Sequence, residues 1–523
     1  MDLATGVVRV AVDAIADRPE RTFSYRLSPD LGPVEPGSLV LVPYGHRLAL
    51  GYLLAGTPPR DLDPGELRNV EAVVSGPMLT PDLLTLAEEI AAYYRAPVGT
   101  TLAAMLPPGL ESRLERRWAV ASDAELPAGL ADLADGEGMV TDAALMRLAP
   151  KRGGVTWLEK LRRSGAVAPR WELKPPDVNA RRVRVLRSVA GGPQPRKRAP
   201  LQIALLEAIA VGERTLPELA AILDVEPASV LAPARRLAAI GAAELDWRHV
   251  GRDPLAHRQL PAPAHHELAA EQAAALAAIE ALPAGGELLL EGVAAAGKTD
   301  VYLAALLSTL AAGQSAIVLV PEVSLVPQLA DRVSGLVGER LAVLHSGLSA
   351  GERHDEWWRI LRGEARVVLG TRTAIFAPLA EPGLIVIDEA HDGGYKSDRT
   401  PRFDARWVAR RRAGLTGARL VLGTATPDVV TLARARGGMV ERAILRERRV
   451  GSAPTIELVD LRDELSSGNR SIFSRQLQAA LAELRQGSEQ AILLMNRRGA
   501  ASFVLCRDCG ESLRCPDCDL PFV

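Results

Sequence analysis

The sequence predicts a multidomain α/β protein whose largest part is a parallel sheet with a phosphate-binding loop, and three observations predict it. From about residue 263, short apolar runs recur between helical stretches: GELLLEG, SAIVLVPE, ARVVLGT, GLIVIDEA, ARLVLGT and QAILLMN. Strands buried on both faces of a parallel sheet read as continuous apolar runs. Alternation with helices makes the sheet doubly wound, with function at the strand C-terminal ends. The second observation is GVAAAGKT, Gly292 to Thr299, which matches GxxxxGKS/T after a strand and before a helix. The third is the N-terminal region, where VVRVAVDA and SLVLVPYG alternate as strands do, separated by the turn-rich LSPDLGPVEPG.

Taken in order, residues 1–108 form the small β-rich unit, with a helix over LLTLAEEIAAYYRA and an end at the PPG of 107–109. Residues 109–262 are winged-helix-like. GERTLPELAAILDVEPASVLAPARRLAAIGAAEL has the rhythm of two helices around a turn, and Thr215 with Glu218 fits a capping box although Pro217 lies inside it. A simple helical hairpin fits the pattern equally. NARRVRVLRSVAGGPQPRKRAP upstream is a basic, Gly/Pro-broken linker. Residues 263–450 hold the sheet just described, and 451–523 begin a further domain. No tandem repeat is read in the chain.

Net charge is −2, so any anion-binding surface must be a local patch. No apolar run approaches the roughly 20 residues of a membrane span. The N-terminus lacks a basic region followed by a long apolar core, so no signal peptide is expected. All four cysteines, Cys506, Cys509, Cys515 and Cys518, cluster in CRDCGESLRCPDCDLPFV. That is no disulfide framework, and the expectation is a soluble protein of the reducing cytoplasm.

The chemistry concentrates on two stretches. In GVAAAGKT, backbone N–H groups at a helix N-terminus cradle phosphates between Gly292 and Gly297. Lys298 reaches the β- and γ-phosphates, and Thr299 holds Mg²⁺. In GLIVIDEAH, Asp388 and Glu389 leave a buried strand. Asp388 suits the second Mg²⁺ ligand and Glu389 the base that orients an attacking water. Gln272, in HELAAEQ ahead of the loop, is placed to read adenine. VPEVSLVPQ, LHSGLS, GTRTAIFAP and GTATP follow strands or strand ends and are expected to touch a nucleic-acid backbone or couple it to ATP.

The full set resembles the superfamily 2 primosomal replication-restart helicases. The resemblance runs through GVAAAGKTDVYL, VPEVSLVPQ, VLHSGLSAGER, GTRTAIFAP, VIDEAHDGGYKSDRTPRFDAR, GTATP, NRRGAA and the cysteine stretch. It implies a P-loop, RecA-like helicase lobe at 263–450 behind a DNA 3′-end-binding domain and a winged-helix domain that touches duplex DNA at forks. It implies an aromatic-rich loop in which Tyr395, Lys396, Arg402, Phe403 and Arg406 meet single-stranded DNA by stacking beside cations, with Arg372 on a neighbouring DNA-facing loop. In the N-terminal domain Phe23 stacks on a terminal base, Gly45 allows close backbone approach and Arg68 contacts the nucleic acid. The implied activity is ATP-dependent 3′→5′ translocation and unwinding at stalled or repaired forks, promoting replisome reloading. The implied partners are forked and single-stranded DNA, other primosome proteins, single-stranded-DNA-binding protein and the replicative helicase-loading machinery, with no membrane.

Departures from the family pattern qualify this. Ala294, Ala295 and Ala296 stand where the family's loop carries Thr, Gly and Ser, so a positive φ at Ala295 would be strained. Ser24 stands where many relatives have aspartate, and Ala390 where a second glutamate is frequent. The resemblance implies two zinc ions on eight interleaved cysteines, with Cys506 and Cys509 on one ion and Cys515 and Cys518 on the other. The second lobe's late glycine-rich and QxxGRxGR motifs do not occur, so the chain is expected to be a C-terminally truncated copy with two zinc half-sites. The alternative reading is a catalytically impaired, fork-binding primosome scaffold. A different superfamily 2 motor is disfavoured by the N-terminal domain and the cysteines.

Overall fold

A computed structural model describes residues 6–12, 22–56, 67–107, 114–121, 130–134, 138–150, 154–173, 182–189, 191–193, 195, 199–210, 212–249, 254, 267–449, 451, 455–484 and 490–494. The chain divides into two units, Met1–Val450 and Gly451–Val523.

The first unit opens with β1 (Val7–Val12), β2 (Phe23–Arg26), β3 (Ser38–Tyr44), β4 (Arg47–Leu54) and β5 (Ala72–Pro77), followed by α1 (Pro81–Tyr94) and α2 (Val98–Met105). The strands form an antiparallel sheet in the order β2-β1-β4-β3-β5. Strand alternation splits its residues between two cores. Val8, Val10, Val40, Val42 and Leu53 pack on one face. Ala11, Leu39, Leu41 and Tyr52 pack on the other, against Leu83, Leu86 and Ile90 of α1. Helix α1 starts with Pro81, where a missing N–H costs nothing, and ends at Arg95 in the left-handed region.

The middle region is a tandem duplication, which corrects the expectation of no repeat. One copy is β6 (Leu114–Val120), α3 (Leu130–Leu133), β7 (Met139–Thr141), α4 (Asp142–Leu148), α5 (Gly154–Arg163) and β8 (Val167–Leu173). The other is β9 (Arg182–Ser188), α6 (Pro200–Ala208), β10 (Arg214–Thr215), α7 (Leu216–Ile222), α8 (Pro227–Ala239) and β11 (Ala243–His249). The sheets run β7-β6-β8 and β10-β9-β11, so element order and strand order agree. The registers agree as well: Arg117 pairs with Thr141 as Val185 pairs with Thr215, and Trp118 pairs with Pro169 as Leu186 pairs with Leu245. Thr141 caps α4 through Ala144 N, and Thr215 caps α7 through Glu218 N. Pro217 is tolerated because it sits in the first turn of α7, inside a complete capping box. The third helix of each copy ends on a left-handed glycine, Gly165 or Gly241, with matching bonds from Ala166 N to Leu161 O and from Ala242 N to Leu237 O.

The remainder of the unit is α9 (Ala270–Glu280), β12 (Glu287–Gly292), α10 (Lys298–Ala311), β13 (Ser315–Leu319), α11 (Val326–Val337), β14 (Leu341–Leu344), α12 (Ala350–Leu361), β15 (Val367–Gly370), β16 (Pro382–Ile387), α13 (Ala405–Thr416), β17 (Arg419–Thr424), α14 (Val429–Arg436) and β18 (Glu441–Leu445). Seven parallel strands run β14-β15-β13-β16-β17-β12-β18. Leu288, Leu290, Val318, Val386 and Val421 pack against α9, α10 and α11. Leu289, Ile317, Ile385, Ile387 and Leu422 face the other way and share one continuous core with α12, α13 and the N-terminal α1 and α2. Two ion pairs cross the same seam. Arg412, fully buried on α13, donates to Asp82 of α1 at 2.9 Å, and Arg411 forks onto Glu89 at 2.7 and 2.8 Å.

In the second unit α15 (Leu461–Ser466) and α16 (Arg475–Leu484) are helical. The sequence predicts QAILLMN as a core strand. Residues 490–494 instead carry no regular structure, and Ile492 and Leu494 are 97% and 91% exposed. An apolar run becomes a parallel strand only through distant partners, and no such partner lies among the described residues of this unit. The cysteines and their zinc assignment lie outside the described residues. Among the described residues no group of three His, Cys, Asp or Glu side chains is placed to hold a metal, and no helix is long and apolar enough to cross a membrane.

Candidate nucleotide site and nucleic-acid interface

Chain reversal between β12 and α10 builds the phosphate loop at the C-terminal edge of the sheet. Gly297 has φ +80°, and a Cβ there would lie 2.2 Å from Gln272 Nε2. Only glycine satisfies both constraints. Ala295 has φ +62°. The strain expected from the sequence is therefore present, since the left-handed region costs an L-residue roughly 1 kcal/mol or more. Ala295→Gly is expected to stabilise the chain by about 1 kcal/mol through relief of this strain, read as a raised urea midpoint with an unchanged slope.

Gln272, expected to read adenine, is buried against the loop. It is 2% exposed; its carbonyl accepts from Ala269 N at 2.8 Å, and its amide donates to Gly297 O at 3.1 Å and Ala296 O at 3.3 Å. Its amide hydrogens are directed at the loop backbone, so it holds the loop in this structure.

Lys298, Asp388 and Glu389 do converge. Lys298 Nζ donates to Gly292 O at 3.1 Å and lies 3.9 Å from Glu389 Oε1. Thr299 sits in the first turn of α10. Burial, then the neighbouring Glu389 carboxylate, pushes the Asp388 carboxyl above its ordinary value, opposed by the Tyr302 hydroxyl and Lys298. Glu389 has φ +44°, a strained backbone at the turn that leaves β16. These residues fit ATP with Mg²⁺: the loop would frame the phosphates with N–H groups, and Thr299 and Asp388 would offer hard oxygen ligands.

Tyr302 carries no signal in the sequence. It is buried on α10, and its hydroxyl donates to Asp388 Oδ1 at 3.0 Å. Gly423, on the GTATP stretch, makes this reach possible, because a Cβ there would lie 1.5 Å from Tyr302 Oη. The same stretch binds the acidic one twice, through Ala390 N to Gly423 O at 2.9 Å and His391 to Thr424 Oγ1 at 2.7 Å.

The aromatic-rich loop departs from the stacking expectation. Tyr395 and Phe403 are 0% and 3% exposed. Tyr395 donates to Leu319 O at 3.1 Å and to the carbonyl of Asp388, and Phe403 packs edge-on against Phe376 at 4.9 Å. Neither ring face is free for a base. Arg406 is likewise committed: it forks onto Asp404 and donates to Ala390 O at 2.9 Å. These residues hold the loop and the DEAH backbone together. Arg372 clamps the loop from below, donating to Gly394 O at 3.2 Å, Lys396 O at 2.8 Å and Asp398 Oδ1 at 3.1 Å. Lys396 and Arg402 are exposed. Lys396 Nζ lies 4.6 Å from the centre of the Tyr94 ring, whose hydroxyl accepts from Asp404 N at 3.0 Å. Helix α1 thus touches the loop directly.

Beside this loop lies a cavity of about 660 Å³. Met105 and Leu106 form an apolar wall, while His345, Arg353, Arg372 and Arg399 line it with cationic and polar groups. Trp357 also lines it, and among the described residues its indole Nε1 and the Arg353 Nε have no hydrogen-bond partner. In the N-terminal domain Phe23, Gly45 and Arg68 gather at the β3–β4 turn. Arg68 donates to Gly45 O at 2.8 Å, Gly45 has φ +60°, and Phe23 meets Tyr44 edge-on at 5.5 Å. Ser24 sits in β2 opposite Arg9.

The sheet, loop and acidic stretch define a DEAD/DEAH box helicase lobe. That family matches residues 270–434, and the family described as a 3′DNA-binding domain (3′BD) matches residues 9–107. The chain is 35% identical over 526 residues to "Replication restart protein PriA" of Bacillus subtilis and 34% identical over 540 residues to that of Synechocystis, each alignment covering 98% of this chain. The chain is thus similar to the PriA replication restart proteins along nearly its whole length. It spans 64% of the length of each of these two relatives. Among solved structures, the Pyrococcus furiosus Hef helicase domain aligns over 41% of this chain and 46% of its own at 22% identity and a TM-score of 0.29.

Proposed function

We propose that this chain recognises stalled or repaired DNA forks and uses ATP to translocate and unwind 3′→5′, promoting reloading of the replication machinery. The observation that supports it best is the grip of the aromatic-rich loop on the DEAH backbone, through Tyr395 on Asp388 and Arg406 on Ala390. A strand in the adjoining cavity that displaced this loop would move Asp388 and Glu389 with it. ATP supplies the phosphoryl bond whose hydrolysis drives stepping. Lys298 is suited to neutralise charge on its phosphates, Thr299 and Asp388 to hold Mg²⁺, and Glu389 to orient water. The exposed Lys396 and Arg402 are suited to phosphates of a single strand, and Phe23, Gly45 and Arg68 to a strand's 3′ end.

Within the loop, the impaired-scaffold reading rests on Ala294, Ala295 and Ala296, of which Ala295 has the positive φ. A strain on the order of 1 kcal/mol is small beside the convergence of Lys298, Asp388 and Glu389, which favours the motor. Thiolates at Cys506, Cys509, Cys515 and Cys518 suit Zn²⁺, and primosome proteins, single-stranded-DNA-binding protein and the helicase-loading machinery are the protein partners that a replication-restart role would engage. Strand displacement tests the function: ATP-dependent release is expected from a fork whose loading strand runs 3′→5′ toward the duplex. Equal release with a loading strand of opposite polarity would contradict it.

A further inference from the structure

We infer that Tyr94, the last residue of α1 in the N-terminal domain, is a positioning residue for DNA-stimulated hydrolysis. It latches the aromatic-rich loop against the DEAH stretch, and a single strand must take Lys396 off its ring before the loop can move. The inference rests on the reading above, in which movement of this loop moves Asp388 and Glu389, and it names what holds the loop back.

Tyr94 meets the loop at its base. Lys396 and Asp404 pair there in an isolated antiparallel bridge. The Tyr94 hydroxyl accepts from Asp404 N at 3.0 Å, and Lys396 Nζ lies 4.6 Å from the centre of its ring. One side chain therefore touches both halves of the bridge. Each half leads directly to the acidic stretch. Tyr395, next to Lys396, donates to the Asp388 carbonyl. Arg406, two residues beyond Asp404, forks onto the Asp404 carboxylate and donates to Ala390 O at 2.9 Å. A bridge pinned by Tyr94 pins both contacts with the DEAH backbone.

Tyr94 is itself held firmly. Tyr93 stacks on Trp407 with ring centres 4.6 Å apart and 23° between planes, and Tyr94 meets the same indole edge-on at 5.6 Å. Behind them Arg411–Glu89 and Arg412–Asp82 tie α1 to α13, and the two helices share one core. The fixed point thus belongs to the N-terminal domain, and the movable part is the loop. Lys396 is the group over which ring and strand compete. It is exposed, it donates to the Arg402 carbonyl, and its ammonium is a point charge that a phosphate attracts. A cation on an aromatic face near solvent is held weakly enough for a phosphate to win and strongly enough to set a threshold. A latch of this kind raises the DNA concentration needed for half-maximal hydrolysis and lowers the rate without DNA. It leaves the rate at saturating DNA alone, because every loop is then released.

The test uses the full chain carrying Tyr94→Leu or Tyr94→Phe. Leucine removes both the ring and the hydroxyl; phenylalanine keeps the ring and removes the hydroxyl alone, and it decides the matter if the leucine variant does not fold. ATP hydrolysis is titrated with single-stranded oligodeoxythymidine. Tyr94→Leu is expected to lower the half-saturating DNA concentration by on the order of 10-fold, to raise the rate without DNA by a similar factor and to leave the saturated rate unchanged. Tyr94→Phe should move the first two in the same direction by about 3-fold. Loss of a merely structural contact would lower the saturated rate instead. Hydrogen exchange without DNA or nucleotide reads the latch apart from turnover: the Asp404 amide should exchange faster in both variants. Wild-type half-saturation and wild-type DNA-free rate in both variants would overturn the inference, as would a reduced saturated rate with unchanged half-saturation. Wild-type hydrolysis indifferent to DNA, with faster exchange at Asp404 in both variants, would leave the latch standing and sink the reading on which it rests.

Discussion

Gly423→Ala is expected to destabilise the helicase lobe by roughly 3 kcal/mol or more, from overpacking and from an acid left without its donor. The added Cβ would lie 1.5 Å from Tyr302 Oη and 2.6 Å from its Cζ. Tyr302 is fully buried between α10 and the sheet, so its ring has no open space to enter. If the ring moves, Asp388 loses the hydroxyl at 3.0 Å while remaining largely buried. Tyr302→Leu in the same chain removes the atoms that collide. The double variant should be more stable than the sum of the two single effects predicts, since residues that touch couple. Strict additivity in urea unfolding would show that the two positions do not meet.

Arg412→Met is expected to cost about 3–5 kcal/mol, the range for removing one partner of a buried pair. The arginine is fully buried, donates to Asp82 at 2.9 Å and to Ile375 O at 2.5 Å, and leaves its Nη2 without a partner among the described residues. It therefore gives imperfect satisfaction to its own charge while fixing α1 of the N-terminal domain on α13 of the lobe. Its loss strands both the Asp82 carboxylate and the Ile375 carbonyl. Adding Asp82→Leu should recover much of the stability, because an apolar pair of similar volume is often as good as a buried ion pair. Because the two domains share a core, unfolding should become less cooperative in the single variant. An unchanged transition would mean that Arg412 is not a tie between them.

The parts of the fold visible in the sequence are those with local signatures. β12, β13, β15, β16 and β17 are buried on both faces and read as unbroken apolar runs. β18, at the sheet edge, reads ERAIL and gives no such signal. The duplication is hidden because matched positions are few. Thr141 and Thr215, Leu145 and Leu219, Leu161 and Leu237, and Gly165 and Gly241 correspond, while the turn between the second and third helices differs in length. Lys298, Asp388 and Glu389 are legible because phosphate chemistry fixes residue type and spacing. Tyr302, Arg412 and Tyr94 are not, since each acts through a neighbour distant in sequence. Tyr395 and Phe403 are buried in this structure, and an aromatic near cations in sequence says nothing of which way its ring faces. Gln272 holds the loop through the Gly297 carbonyl, an approach that needs the missing Cβ of Gly297 and that sequence spacing does not reveal.

The central claim is that one site joins ATP to a DNA-facing loop. The measurement that tests it most directly is ATP hydrolysis by this chain with and without single-stranded DNA, beside the Lys298→Ala variant. Hydrolysis stimulated by DNA and abolished by Lys298→Ala is the predicted result. Hydrolysis indifferent to DNA, or undiminished without Lys298, would contradict it.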